Sequence, residues 1–177
     1  MTSQKNKLGV YYSPEDYANF WRRIAAWVID LLVLSLLVSS YSLLFVYCTD
    51  GNSSAFTILF TVSLTTCLLY LTVIKASQFS TLGFWCTKIQ IVNLFGEKPS
   101  FWTMGFRFIL LTLGPFELII DLLWLTGEKT KQTLRDKYAG TYVIRKNAVP
   151  IGKAPIIQSR LDVLGWHLVF SEVDIPE

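Results

Sequence analysis

Residues 24–48 form a run of about 25 residues whose only charge is Asp30, and Arg23 stands immediately before it. About 20 apolar residues span the hydrocarbon core of a bilayer, so the run reads as a transmembrane helix. A carboxylate inside such a helix costs roughly 2.5–3.5 kcal/mol on insertion scales. The run holds 14 Leu, Ile, Val and Phe residues, each worth roughly 0.3–0.6 kcal/mol in the favourable direction, and these carry the cost. Asp30 is therefore either a functional site or a pin for helix packing through a hydrogen bond or ion pair.

The rest of the chain fits a membrane protein. Hydrophobic residues make up 52% and charged residues 16%, with a mean hydropathy of +0.42. The net charge of +3 is too small to argue for nucleic acid, and the basic residues flank apolar runs rather than interleave with aromatics. The first apolar run is too long for the h-region of a signal peptide, so it is expected to stay in the membrane as an uncleaved span. Cys48, Cys67 and Cys86 are widely spaced, and His167 is the lone histidine. No disulfide framework, metal site or cofactor is expected from them.

Along the chain, Ser13-Pro14-Glu15-Asp16 reads as a helix start, with Ser at the N-cap and Pro at the first helical position. The first span runs from about Ile24 to Tyr47, residues 49–54 make a polar loop, and Ala55–Ile74 is an uncharged second span rich in Thr and Ser. Lys88–Asn93 alternates and is β-branched, and Thr141–Arg145 is a second short strand candidate. Two isolated strands are marginal, so their pairing at the membrane surface is expected. A third apolar segment, Phe101–Leu125, carries Arg107, Glu117 and Asp121 and is broken by Gly114-Pro115. The fold class expected is an all-α membrane protein: two clear transmembrane helices, a third Gly-Pro-broken apolar helical segment and a small cytoplasmic β element.

Lys5, Lys7, Arg22 and Arg23 precede the first span, the 49–54 loop has no Lys or Arg, and Lys75, Lys88 and Lys98 follow the second. The positive-inside rule then puts the N-terminus and residues 75–100 in the cytoplasm. A single crossing by the third segment would put six later basic residues outside. Either that segment turns back at Gly114-Pro115, or it lies in the interface, or the rule fails here.

Arg23, Ala26 and Asp30 share one helix face at i, i+3 and i+7. If the third segment is helical, Arg107, Glu117 and Asp121 also fall near one stripe. Two charged stripes should face each other rather than lipid, which makes Arg23 and Arg107 candidate partners of Asp30. The plainer reading of Glu117 and Asp121 is a structural seam, or hydration near the interface.

Phe20-Trp21-Arg22-Arg23-Ile24-Ala25-Ala26-Trp27-Val28-Ile29-Asp30 resembles the opening of the RDD family, named for one arginine and two aspartates. The resemblance implies Arg23 and Asp30 as the first two signature residues. The second aspartate resembles Asp136 in Gln132-Thr133-Leu134-Arg135-Asp136-Lys137-Tyr138-Ala139-Gly140-Thr141. Thr81-Leu82-Gly83-Phe84 resembles the family's Thr-Pro-Gly-Lys stretch, with Leu82 for the proline and Phe84 for the lysine. The chain then divides into a polar leader (1–16), a membrane domain (17–146) and a tail (147–177). The tail segment Leu161–Phe170 reads as one strand or a short amphipathic helix. The family is one of small multi-pass membrane proteins with a proposed transport role, which implies a bacterial cytoplasmic membrane.

Asp136 precedes Ala139-Gly140 and a strand, so it is expected at the membrane surface, where it either pairs with Arg23 in a partly exposed ion pair or only caps a local turn. Two functions remain open, and neither is enzymatic. One is an ion- or proton-coupled transport component using Asp30, which needs an oligomer because two or three spans make a thin pathway. The other is a non-catalytic membrane module that anchors, assembles or regulates a partner protein. The expected partners are the lipid bilayer and a homo-oligomer or membrane-protein partner.

Overall fold

A computed structural model describes residues 8–49, 53–75, 80–112, 130–163 and 166–176. Among these residues, two helices are long and apolar enough to cross a membrane. The first helix, α1, spans Phe20–Thr49, and the second, α2, spans Ser53–Leu68 and continues as a π-helix over Leu69–Ile74. Only 6% and 11% of their most apolar windows are buried within the protein. Helices with so little protein cover and so much exposed Leu, Ile, Val and Phe are not the core helices of a water-soluble fold, and lipid is the medium that suits them. Inside α2, Thr61, Ser63, Thr65 and Thr66 each donate to the carbonyl four residues back at 2.7–2.9 Å. That satisfies hydroxyls which have no water to turn to in a bilayer.

The helix start expected at Ser13 is corrected. Residues 13–16 form a turn, with Asp16 N–H donating to Ser13 O at 2.9 Å. The chain then runs extended along a strand, with Ala18 N–H donating to Val143 O at 2.9 Å. Asn19 is the actual cap: its Oδ1 accepts from Arg22 N–H at 3.1 Å. Among the described residues, three shorter helices follow: α3 (Leu82–Thr87), α4 (Phe101–Thr112) and α5 (Leu134–Tyr138). Residues 113–129, including Gly114-Pro115, Glu117 and Asp121, lie outside the described residues, so the crossing of the third apolar segment does too.

The all-α expectation is overturned. Among the described residues, five strands form two antiparallel sheets, and the fold is mixed α/β. The expected pairing of the two short strands is present: β2 (Ile89–Asn93) runs antiparallel to β3 (Thr141–Arg145), with Ile91 opposite Val143. The missed sheet is three-stranded, in the order β1 (Leu8–Tyr11), β4 (Gly152–Val163), β5 (Trp166–Val173). Gly152 and Pro155, residue types that usually interrupt a strand, lie within β4. Pro155 lies just past the last register pair of β4 with β5, so its missing N–H costs at most one ladder bond, and its carbonyl still accepts from Asp174 N–H at 2.9 Å.

The two-stranded sheet is stable because both of its faces are covered. Alternate side chains point to opposite faces. On one face Ile89, Ile91 and Val143 pack with Ala26 of α1, Phe84 of α3 and Met104 of α4. On the other, Val92, Tyr142 and Ile144 pack with Val10, Ala154 and Val173 of the three-stranded sheet. The order of layers is therefore helices, small sheet, larger sheet. A two-stranded sheet alone would be marginal, whereas here six of its ten residues are apolar and sunk into these two cores.

Candidate functional site

Asp30 is 1% exposed. It lies on the face of α1 turned toward α3 and the π-helical end of α2. Three neutral donors converge on its carboxylate. Gly83 N–H reaches Oδ1 at 2.8 Å, Tyr70 O–H reaches Oδ1 at 3.1 Å, and Thr81 Oγ1 reaches Oδ2 at 2.8 Å. The π-helical turns of α2 bring Tyr70 into reach. The close approach of α3 depends on small residues: a Cβ on Gly83 would overlap Ala26 O and stand 2.7 Å from Asp30 Oδ1.

The cation beside Asp30 is Lys75, with Nζ 3.8 Å from Oδ2. The same ammonium sits 4.3 Å from the centre of the Phe84 ring. Burial pulls Lys75 down from the ordinary lysine range to about 8, and the charge of Asp30 works against that shift. The expected pairing of Asp30 with Arg23 or Arg107 is corrected, because both guanidiniums go to the second aspartate.

Asp136 is fully buried, at 0% exposure. Arg23 Nη1 stands 2.5 Å from Oδ2, and Arg107 Nη1 stands 2.5 Å from Oδ1. Arg23 also donates from Nη2 to Lys131 O at 2.5 Å and from Nε to Ala18 O at 3.1 Å. Arg107 Nη1 donates to Thr141 Oγ1, and Gln132 Nε2 donates to Thr141 O at 3.0 Å. Both alternatives for Asp136 hold at once. It pairs with Arg23, and it closes a capping box on α5, accepting from Thr133 N–H at 3.2 Å while its own N–H donates to Thr133 Oγ1 at 3.1 Å. The pair is more buried than expected, with the Arg23 side chain 14% exposed. Burial alone raises a carboxyl pKa. Arg107, Arg23 and Arg135 outweigh it and hold Asp136 well below the usual carboxylate range.

The two carboxylates thus anchor two junctions. One joins α1, α2 and α3. The other joins α1 and α4 to α5 and β3, that is, the apolar helices to the small sheet. A cavity of about 310 Å³ is lined by Asp30 and Lys75 from the first junction and by Arg107 and Arg135 from the second. Glu117 and Asp121 lie outside the described residues.

Tyr70, Lys75, Thr81 and Gly83 escape sequence reasoning as partners of Asp30, although Thr81 and Gly83 stand in a quoted motif. Their carriers are separated from Asp30 by 40 to 53 residues, and only the fold brings them together. Thr133 was within reach, since Thr-x-x-Asp just before a helix is a capping signal.

A family model described as the RDD family matches residues 17–140. That range takes in both aspartates, Arg23, Arg107 and the Thr81–Gly83 start of α3, and leaves out β1, β3, β4 and β5. No curated protein and no solved structure matches the chain.

Proposed function

The chain belongs to the RDD family, and on that premise we propose that it is a non-catalytic, multi-pass membrane module. Its two spans sit in a bacterial cytoplasmic membrane with the sheets on the cytoplasmic side. The module holds those sheets rigidly against the spans and presents them to a partner.

One observation carries this reading. Both carboxylates are held: Asp30 by three donors and Lys75, Asp136 Oδ2 by hydrogen bonds from Arg23 and Thr133 N–H, and Asp136 Oδ1 by the ion-pair contact with Arg107 alone. An ion carrier needs a carboxylate that can exchange partners at little cost. Removing one partner from a buried hydrogen-bonded group costs about 1–3 kcal/mol, more where charge is involved. The cavity also disfavours a cation. Among the described residues Asp30 is the carboxylate that lines it, and Lys75 already stands beside that carboxylate at 3.8 Å, so an incoming cation would have to displace or repel the ammonium.

The transport reading keeps one point in its favour, since Asp30 does line that cavity. Flux separates the two. Purified full-length protein in liposomes, given proton, sodium or potassium gradients, should dissipate them no faster than empty liposomes. A gradient-driven flux that Asp30→Asn abolishes would overturn the module and establish ion-coupled transport.

A further inference from the structure

We propose that α3 and the first turns of α4 lie in the head-group boundary of the bilayer, and that Trp21, Trp85 and Trp102 form a belt that fixes the depth of the helices there. The partner of this face is the lipid surface. The inference rests on the membrane reading above, and adds α3 and the start of α4 to the part of the chain that lipid covers.

The first support is an outward face that water does not suit. α3 turns Gly83 and Phe84 inward and leaves Leu82, Trp85 and Cys86 exposed, Trp85 at 62%. α4 buries Met104 and Arg107 and exposes Trp102, Phe106 and Ile109 at i, i+4 and i+7, Trp102 at 81%. Trp21, in the first turn of α1, is 73% exposed. Tryptophan is highly buried on average in water-soluble folds, and a contiguous exposed apolar patch marks a protein or membrane contact. Here the patch runs on into the lipid-facing surface of the first span through Trp27, Val28 and Leu31. With an apolar body and one N–H donor, tryptophan is enriched where a bilayer meets water.

The second support is level. Ala26, Phe84 and Met104 share one core, so α3 and the start of α4 flank the first turns of α1. Trp85 follows Phe84 and Trp102 shortly precedes Met104. Trp21 lines one shallow pocket with Cys86 and Thr87 of α3, which brings all three rings into one layer. Arg22 and Lys88 line the same pocket, and long basic side chains beside tryptophan suit head-group height. The π-helical end of α2 meets α1 at Asp30, through Tyr70 and Lys75. From Asp30 to its end at Thr49, α1 still has about 20 residues, enough to cross the hydrocarbon core. The layer before Asp30 is then left to the head-group side, where an interfacial helix buries its apolar face by about 5–10 Å.

The test is spin-label accessibility in liposomes of phosphatidylcholine and phosphatidylglycerol. The full chain, with Cys48, Cys67 and Cys86 replaced by serine, carries one nitroxide at a time on Trp21→Cys, Trp85→Cys or Trp102→Cys. Leu36→Cys, on the exposed side of α1, and Lys153→Cys, exposed on β4, are the references for lipid and water. All three belt labels should relax more with oxygen than with a water-soluble nickel chelate. They should also read about 10–15 Å shallower than the Leu36 label, roughly the helical rise from Ala26 to Leu36. Leu82→Cys serves for α3 if Trp85→Cys does not melt cooperatively, and Phe101→Cys serves likewise for α4. A chelate preference like that at Lys153 at any belt position puts the face in water and overturns the proposal. Shielding from both reagents means that protein covers the face, and a depth equal to that of Leu36 puts these helices in the interior of the span; either result overturns it as well. In each case a Leu36 label in lipid leaves the membrane reading standing, whereas a chelate preference at Leu36 too would remove both.

Discussion

The backbone N–H of Gly83 donates to Asp30 Oδ1 at 2.8 Å, and this bond sets how closely α3 approaches the first span. A Cβ at position 83 would stand 2.7 Å from that same oxygen and overlap Ala26 O. Ala26 itself is fully buried, at 0% exposure, so α1 cannot back away without opening the core beneath Ile89 and Val143. Gly83→Ala should therefore destabilise the protein by about 1–3 kcal/mol, the usual cost of overpacking. Ala26→Leu should cost at least as much. Thermal unfolding of the purified full-length protein measures both, and a wild-type melting temperature for Gly83→Ala would mean that the helices are less tightly apposed.

Substitutions at Asp30 should separate charge from hydrogen bonding. Asp30→Asn keeps an acceptor for Gly83, Thr81 or Tyr70 and loses the ion pair with Lys75. Asp30→Leu leaves three buried donors without an acceptor, at about 1–3 kcal/mol each. Both variants should insert, because the span only becomes more apolar. The asparagine should be mildly destabilised and the leucine severely so. Equal melting temperatures for the two variants would remove the hydrogen-bonding role assigned to Asp30.

Acid should act through Asp136. Its folded-state pKa is depressed, so the stability it confers is fully present above its unfolded value of about 3.9 and is lost as pH falls toward the folded value. Wild-type stability should lose this contribution progressively below about pH 4. Asp136→Asn, weaker at neutral pH, should lose less over the same range. Thermal unfolding at pH 7, 4 and 3 gives both slopes, and identical losses in the two proteins would show that the junction does not titrate as described.

Orientation can be read from native thiols. Cys48 lies near the end of α1 and Cys86 in α3, and both are exposed. With the sheets in the cytoplasm, a membrane-impermeant maleimide applied to intact cells should label a variant that keeps only Cys48 and spare one that keeps only Cys86. Labelling of Cys86 alone would invert the topology.

The two long apolar helices were legible because a run such as Ile24–Cys48 needs only length and apolarity to declare itself. The pairing of β2 with β3 was legible from two β-branched segments that each needed a partner, and Arg23 with Asp136 from the motif they share. The third apolar segment could not be resolved, and its later part lies outside the described residues. The three-stranded sheet was hidden by Gly152 and Pro155, which look like breaks and are absorbed within β4. Ser13-Pro14 imitated a helix start because cap residues also make turns, and the bridge between Tyr17 and Ile144 claims that stretch instead. The partners of Asp30 were hidden because a hydrogen-bond donor such as Tyr70 or Gly83 N–H carries no sign in sequence of where its acceptor will be. Arg107 was misassigned to Asp30 for the same reason: a helical face specifies a direction, and the sheet beneath decides which carboxylate lies in it.

The central claim is that the Arg23–Asp136 contact, across 113 residues of chain, ties the first span to the small sheet. A double-mutant cycle of Arg23→Gln and Asp136→Asn tests it most directly, read by denaturant unfolding of the full chain. Each single change should cost about 3–5 kcal/mol, since it breaks a buried ion pair and leaves the other partner uncompensated. The double variant should cost less than their sum by about 1–3 kcal/mol, the range for contacting residues. Additivity to within about 0.5 kcal/mol would contradict the account, because it would mean that the two side chains do not interact and that Asp136 serves only as the cap of α5.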